Sequence, residues 1–214
     1  MKKLIPILLA FLPLAVSCKL DDTYTQTNVQ EMVSVKEGNL LNDNGIILNV
    51  VEDALGTDKW KIEGNRYLAL FDILNRALDI RLKSVIKATV MTPEVYDPDA
   101  DYPTDPLVPE LTGYSGGYLN LGFSYYKDKK SNAAHRIRIC EERIGTSQRY
   151  LHIVHDGAGE DPTQMDEKDL ETLISIFSLP LDLKSGERVS LVMNVIVTDS
   201  TGKKTVQEKT INLY

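Results

Sequence analysis

Apolar and polar residues alternate in short runs along most of this chain, and turn-forming residues separate the runs. The stretch 78–83 (LDIRLK) alternates strictly, and the longer run 117–126 (GYLNLGFSYY) carries an apolar residue at almost every second position. Successive side chains of a β-strand point to opposite faces, so a period of two is typical of strands that are buried on one face. The pattern predicts an all-β fold.

The first part of the chain contains five candidate β segments. A tight-turn signal, Asp43-Asn44-Gly45, joins segments at residues 38–42 and 46–51. The further segments lie at residues 60–63, 66–72 and 78–90. Five short strands at this spacing are typical of a small barrel of the OB type, which we predict over residues 33–92.

The pattern of the second part of the chain also predicts strands, and we predict a β-sandwich over residues 110–214. The run 117–126 is expected to pair with 134–140 across the Lys-rich turn at 127–130. A strand at 150–155, a short helix at 166–173 and an apolar segment at 174–183 follow, and a hairpin of 188–199 with 205–213 closes the chain. Hairpins with alternating faces at this spacing are typical of sandwiches.

A proline-rich stretch separates the two parts. Residues 93–109 (PEVYDPDADYPTDPLVP) hold five of the nine prolines and five acidic residues. Proline cannot donate a hydrogen bond to a strand ladder, so we expect neither strand nor helix here. The stretch is either a linker between domains or a long surface loop.

The N-terminus has the features of a signal peptide over residues 1–17. Lys2 and Lys3 precede 13 uncharged, mostly apolar residues at 4–16, fewer than the roughly 20 that a membrane-spanning helix needs. The run 14–18 (LAVSC) resembles a bacterial lipobox, which implies cleavage before Cys18 and attachment of the chain to a membrane through lipid on Cys18. An ordinary signal peptide cut elsewhere is the alternative.

Residues 18–32 are polar and aperiodic, and we interpret them as a flexible tether. The segment 19–22 (KLDD) resembles the export signal of Bacteroidota lipoproteins, which implies an outer-membrane location, on the cell surface. Cleavage leaves 22 basic against 31 acidic residues, a net charge of −9, and such a chain is a poor partner for nucleic acid. Cys140 is then the remaining thiol, expected as a small buried hydrophobe.

The segment 152–161 (HIVHDGAGED) is the best candidate for chemistry. His152 and His155 would face opposite sides of a strand, so they cannot share a zinc ion. The acids Asp156, Glu160 and Asp161 could supply oxygen ligands to a cation, although their spacing does not match an EF-hand loop. A Gly-rich turn with solvated acids is the simpler interpretation. We therefore expect no metal and no cofactor.

The sequence lacks the glycine-rich motifs that bind nucleotides and dinucleotides. It contains no Walker motif and no Gly-x-Gly-x-x-Gly, and we predict that the protein is not an enzyme. A hydrolase that uses acids of the 156–161 loop is the rival hypothesis. Tyrosines at 118, 125 and 126 suit a sugar or protein contact, because tyrosine rings are apolar with a polar tip. We predict a binding surface at Tyr118, Tyr125 and Tyr126, with ordinary half-buried tyrosines of a sandwich edge as the alternative.

With these elements in view, the chain resembles the NigD-like lipoproteins of Bacteroidota. The stretches that carry the resemblance are GNLLNDNGIILNVVED (38–53), GNRYLALFDIL (64–74), LDIRLKSV (78–85), GYLNLGFSYY (117–126) and YLHIVHDGAGEDP (150–162). The resemblance implies a lipobox, an OB-like domain and a C-terminal β-sandwich. It implies no catalytic residues, and the family's name comes from a bacteriocin-associated locus. We therefore expect a cell-envelope binding or accessory module for a protein or glycan partner.

Overall fold

The computed structural model describes residues 24–213, so the predicted signal peptide and Cys18 lie outside the described residues. Within that range the chain forms 13 strands and two single-turn 3-10 helices. The strands are β1 (Gln26–Lys36), β2 (Asn39–Asn42), β3 (Ile47–Asp53), β4 (Arg66–Ile73), β5 (Asp79–Val90), β6 (Glu94–Val95), β7 (Val108–Ser115), β8 (Tyr118–Asp128), β9 (Arg136–Ile144), β10 (Gln148–Asp156), β11 (Leu170–Pro180), β12 (Arg188–Thr198) and β13 (Lys204–Asn212). The short helices are Asp58–Trp60 and Glu167–Asp169. No helix in residues 24–213 has the length and apolar character needed to cross a bilayer.

The first five strands close into a barrel. The order around it is β1-β2-β3-β5-β4, with β3 and β5 parallel and the other pairs antiparallel. The closed five-stranded barrel agrees with the predicted OB-like barrel. Its interior is filled by side chains such as Val33, Phe71 and Leu82. Trp60 is buried there and its indole N–H donates to Asp53 Oδ2 at 2.8 Å.

The remaining strands form a sandwich, as predicted. One layer is β7-β8-β11 and the other is β13-β12-β10-β9-β6. The predicted pairing of 117–126 with 134–140 is wrong, because β8 pairs with β7 and β11 whereas β9 pairs with β10 and β6. The two strands lie in opposite layers and bury Phe123 and Ile139 in the shared core. The closing hairpin of β12 with β13 is confirmed.

Four local expectations fail. The candidate β segment at 60–63 is not a strand, because Asp58–Trp60 form a 3-10 turn there and β1 supplies the fifth strand of the barrel. The predicted helix at 166–173 is one 3-10 turn, after which β11 begins at Leu170. Residues 26–32, assigned to the tether, belong to β1, because pairing with the buried strand β4 holds a polar segment extended. In the proline-rich stretch, Glu94 and Val95 form β6 beside β9, since the prolines flank these residues and leave their N–H groups free to donate.

The barrel and the sandwich share one sheet. Strand β5 pairs in parallel with β11 over three residues, Ala88–Val90 against 176–178, so that eight strands form a continuous sheet. The two units nevertheless have separate apolar cores. The division of the chain into domains at 33–92 and 110–214 stays a prediction.

Candidate functional site

A buried arginine lies where the barrel meets the sandwich. Arg66, at the start of β4, is 3% exposed. Its Nη1 and Nη2 donate to the two carboxylate oxygens of Asp43 at 2.9 and 3.0 Å. Its other donors reach Ser34 in the barrel and Asn120 and Ser178 in the sandwich. All five N–H groups of the guanidinium are thus satisfied across the junction.

The turn between β7 and β8 closes over this ion pair. The Tyr118 ring stacks on the Arg66 guanidinium, 4.0 Å from centroid to Cζ, and the Ser115 hydroxyl donates to Asp43. Gly116 has a positive φ of 57°, and a Cβ at that position would come within 2.7 Å of Asp43 Oδ1. The network spans both units, so the barrel is held in a fixed orientation on the sandwich.

This fixed junction opens on one side into a groove. The ladder between β5 and β11 begins at the pair Ala88 and Ile176, and the strands diverge before it. Two residues earlier on each strand stand Ile86 and Ile174, which are 37% and 50% exposed. At the apex Met32, Ala88 and Ile176 pack together. We call this cleft between barrel and sandwich the junction groove.

The junction groove consists of two adjoining cavities of about 300 and 360 Å³. Both include Glu31, Met32 and Leu111 among their walls. The larger cavity is mainly aliphatic, and Glu110 joins Glu31 at its rim. Each carboxylate accepts a hydrogen bond from a neutral group, Glu31 from Asn42 Nδ2 at 3.2 Å and Glu110 from the Ser124 hydroxyl at 2.7 Å. The volumes lie at the lower end of the range for small binding pockets.

The three tyrosines of the predicted binding surface do not come together. Tyr118 covers Arg66 at the junction, whereas Tyr125 points inward and stacks on His135 at 4.8 Å between ring centroids. Tyr126 lines a separate depression beside Leu170. Strand alternation separates 125 from 126, and the length of β8 separates both from 118, so no common surface forms.

The three acids of the candidate cation loop also serve separate purposes. Asp156 Oδ1 accepts from the backbone of Ala158, and Asp161 Oδ1 accepts from Thr163. Glu160 Oε2 accepts from the Asp128 backbone at 2.8 Å. Across residues 24–213 no group of three or more His, Cys, Asp or Glu side chains is arranged to hold a metal ion.

The histidines separate as the strand period predicts. His152 faces out of the sandwich, where it stacks on Tyr96 with centroids 3.7 Å apart and lies 2.9 Å from Glu142. This stack fixes the start of the proline-rich stretch against the sheet. His155 faces in and is 3% exposed.

His155 belongs to a buried chain of polar groups. Its Nδ1 lies 3.1 Å from the Pro106 carbonyl, which can only accept, so Nδ1 carries a proton. Burial lowers the pKa of His155, which leaves Nε2 unprotonated and able to accept from His135 Nδ1 at 3.1 Å. His135 Nε2 in turn lies 3.3 Å from Glu160 Oε2. All three side chains are almost wholly buried.

Another cavity, of about 480 Å³, lies at the end of the sandwich beside Arg149. That guanidinium is already paired with Glu187 at 2.7 Å and Glu141 at 3.1 Å. Burial raises the pKa of Glu187, but its hydrogen bonds from Arg149 and the backbone of Lys184 outweigh this and hold it below its usual value. The charge of Arg149 is therefore already matched by Glu187 and Glu141.

Sequence reasoning did not single out Arg66, Glu31, Glu110, Ile86 or Ile174. A usable signal exists in β11, where Ile174 and Ile176 are apolar on the face opposite to Phe177 and Leu179. A strand that is apolar on both faces in an antiparallel layer indicates that its outer face has a contact of its own.

No protein-family model and no curated protein matches the chain. Several solved structures are similar to it in fold, including the following three. A NigD-like immunity protein from Bacteroides caccae has a TM-score of 0.56 at 19% identity, over 85% of this chain and 92% of its own. A protein of unknown function, DUF1344, from Bacteroides vulgatus has a TM-score of 0.59 at 17% identity, over 87% of this chain and 92% of its own.

A candidate lipoprotein from Bacteroides fragilis has a TM-score of 0.51 at 13% identity, over 87% of this chain and 98% of its own. The TM-scores show a shared fold, and at identities below 20% the similarity is one of fold alone. The resemblance indicated by the sequence is confirmed at that level, and this chain has the barrel-and-sandwich fold of a NigD-like protein.

Proposed function

We propose that the mature chain is a non-catalytic binding or accessory module of the cell envelope, and that the junction groove is where it engages a protein or glycan partner. The observation that carries the proposal is the exposure of Ile86 and Ile174 in a cleft whose walls are held by the Arg66 network. A preformed site loses little conformational freedom on binding, which favours affinity.

The envelope location is supported by the lipobox at 14–18 and by the similar structures. One of these is named a lipoprotein and another a NigD-like immunity protein. We propose that lipid on Cys18 anchors the chain in the outer membrane with its folded part on the cell surface. A role in immunity to a bacteriocin is the narrower form of the proposal, suggested by those names.

The rival hypothesis, a hydrolase using the 156–161 loop, has less support. Hydrolysis of a glycoside needs two carboxyl groups that reach the same bond. Here Asp156 and Asp161 cap their own turns, and Glu160 is buried against His135. These positions favour a structural role for the loop.

Photo-crosslinking in cells tests the proposal. A photoreactive residue replaces Ile174 in the full-length chain, and the matched control replaces Ile144, an isoleucine of similar exposure on the other sheet. We expect crosslinked products at 174 and few at 144, and digestion with protease or glycosidase identifies the partner's class. Equal yields at the two positions would remove the groove as the binding site.

A further inference from the structure

The junction groove combines acidic side chains with an aliphatic floor. We infer that it takes a cationic, apolar polypeptide segment whose Lys or Arg side chains meet Glu31 and Glu110 and whose apolar side chains cover Ile86 and Ile174. This inference rests on the proposed function of the groove and names the class of partner.

The charges of the groove have one sign. The residues that line the two cavities include Glu31, Glu110 and Asp43 but no Lys or Arg. Asp43 is neutralised by Arg66, whereas Glu31 and Glu110 receive hydrogen bonds from an amide and a hydroxyl. Two carboxylates thus face the cleft on a chain of net charge −9 after cleavage, and such a field draws cations toward it.

The floor of the larger cavity favours a polypeptide over a glycan. Its walls carry Leu68, Ile86, Leu111, Ile174 and Ile176, all aliphatic. Sugar hydroxyls placed against these side chains would lose their hydrogen bonds to water without replacement, which costs free energy for each group. Apolar side chains gain free energy at the same place.

Two other occupants match the charge poorly. The segment before the described residues, 18–23, carries Lys19 against Asp21 and Asp22, so its charge has the same sign as that of the groove. A second copy of the chain would bring its own acidic groove against this one. Like charges brought together at an interface oppose association.

Peptide binding tests the inference on the mature chain 18–214 carrying Cys18→Ala. The probe is a fluorescent ten-residue peptide of alternating Lys and Leu, and its controls are Glu-Leu and Lys-Ser peptides of equal length. We expect anisotropy to report binding of the Lys-Leu peptide that weakens as salt is added, and little binding of either control. The double variant Glu31→Gln/Glu110→Gln, which removes both carboxylate charges, should weaken binding of the Lys-Leu peptide about three- to tenfold.

Glutamine keeps the hydrogen bonds that Glu31 and Glu110 accept, so the fold should be retained, and the melting temperature checks this. The matched control, Glu171→Gln/Glu208→Gln, removes the same number of charges from exposed strand positions outside the groove and should leave binding unchanged. Equal loss in both double variants, or equal binding of the Lys-Leu and Glu-Leu peptides, would overturn the inference.

The same protein and peptide also test the two other possible occupants of the groove, the segment 18–23 and a second copy of the chain. Tighter peptide binding after removal of residues 18–23 would identify the tether as the occupant, and a dimer in sedimentation that Ile174→Lys dissolves would identify a second copy. Either result would overturn the inference. Crosslinks at 174 in cells that persist in the Glu31→Gln/Glu110→Gln variant would keep the proposed function and exclude a cationic partner.

Discussion

Asp43 and Arg66 form a buried bidentate ion pair at the junction of the barrel and the sandwich. Both residues belong to the barrel, but the remaining hydrogen bonds of Arg66 extend to Asn120 and Ser178 in the sandwich. The pair therefore joins the two units as well as stabilising the first. It is the feature that gives the neighbouring groove a fixed shape.

The substitution Asp43→Ala should destabilise the whole protein. It leaves the Arg66 charge buried without its partner, a change that typically costs about 3–5 kcal/mol. Denaturant unfolding measures the loss, and Asp58→Ala is the control because the pair of Asp58 with Lys61 is exposed and should contribute little. Similar small effects for both variants would show that the buried pair does not hold the junction.

Adjacent glycines offer a second test of the junction. Both Gly116 and Gly117 have positive φ, so alanine at either position strains the backbone by about 1 kcal/mol or more. A Cβ at 116 also meets Asp43 Oδ1 at 2.7 Å, whereas a Cβ at 117 meets nothing within 4 Å. Gly116→Ala should therefore lower the melting temperature clearly more than Gly117→Ala. Equal shifts would mean that the turn does not press on the ion pair.

The parts of the fold that local patterns control were predictable. The Asp43-Asn44-Gly45 signal produces the β2–β3 turn, in which Asn42 Oδ1 accepts from the backbone of Ile46 and Gly45 has a φ of 78°. The alternation in 118–126 produces β8, with Leu121 and Phe123 in the core. These outcomes depend on residues that are close in sequence.

Strand pairing and the junction were not predictable in the same way. Arg66 stands before an apolar run, where a charged residue usually marks an exposed strand end. Its partners lie 23, 32, 54 and 112 positions away. The expected pairing of β8 with β9 is wrong. A turn signal in the sequence shows where the chain reverses, but not whether the next strand joins the same sheet or crosses to the other layer of the sandwich. Glu31 and Glu110 likewise become neighbours only through tertiary packing.

The buried His155 should make stability depend on pH. Burial lowers its pKa below the ordinary 6.5, although the Pro106 carbonyl and the carboxylates of Asp105 and Asp156 oppose this and His135 adds to it. Between the lowered pKa and 6.5 the unfolded chain binds a proton that the folded chain does not. The free energy of unfolding should therefore fall as pH drops below about 6.5.

Melting curves between pH 7 and pH 5 measure this effect. His155→Gln should flatten the decline in melting temperature, because it removes the buried group that must bind a proton. Glu160 acts at lower pH: desolvation raises its pKa, but hydrogen bonds from Ser131 and Asp128 and the nearby His135 hold it below its usual value. Its stabilisation is lost only as pH falls below about 4.5. An unchanged slope in His155→Gln would contradict the assignment.

The anchor is testable without reference to the fold. If lipid on Cys18 holds the chain in the membrane, Cys18→Ala should move the protein from the detergent phase to the aqueous phase, because the acyl chains supply the membrane affinity. A Ser17→Ala variant, which keeps the cysteine, is the control. Protein that stays in the detergent phase after Cys18→Ala would contradict the lipobox, and protease treatment of intact cells tests the surface location.

Occupancy of the junction groove in the cell tests the central claim most directly. Single variants Ile174→Cys and Ile144→Cys are labelled with a small membrane-permeant maleimide, in cells and after purification, while the native Cys140 is buried. If a partner fills the groove, the labelling rate at 174 relative to 144 should be several-fold lower in cells than in the purified protein. The same ratio in both preparations would contradict the claim.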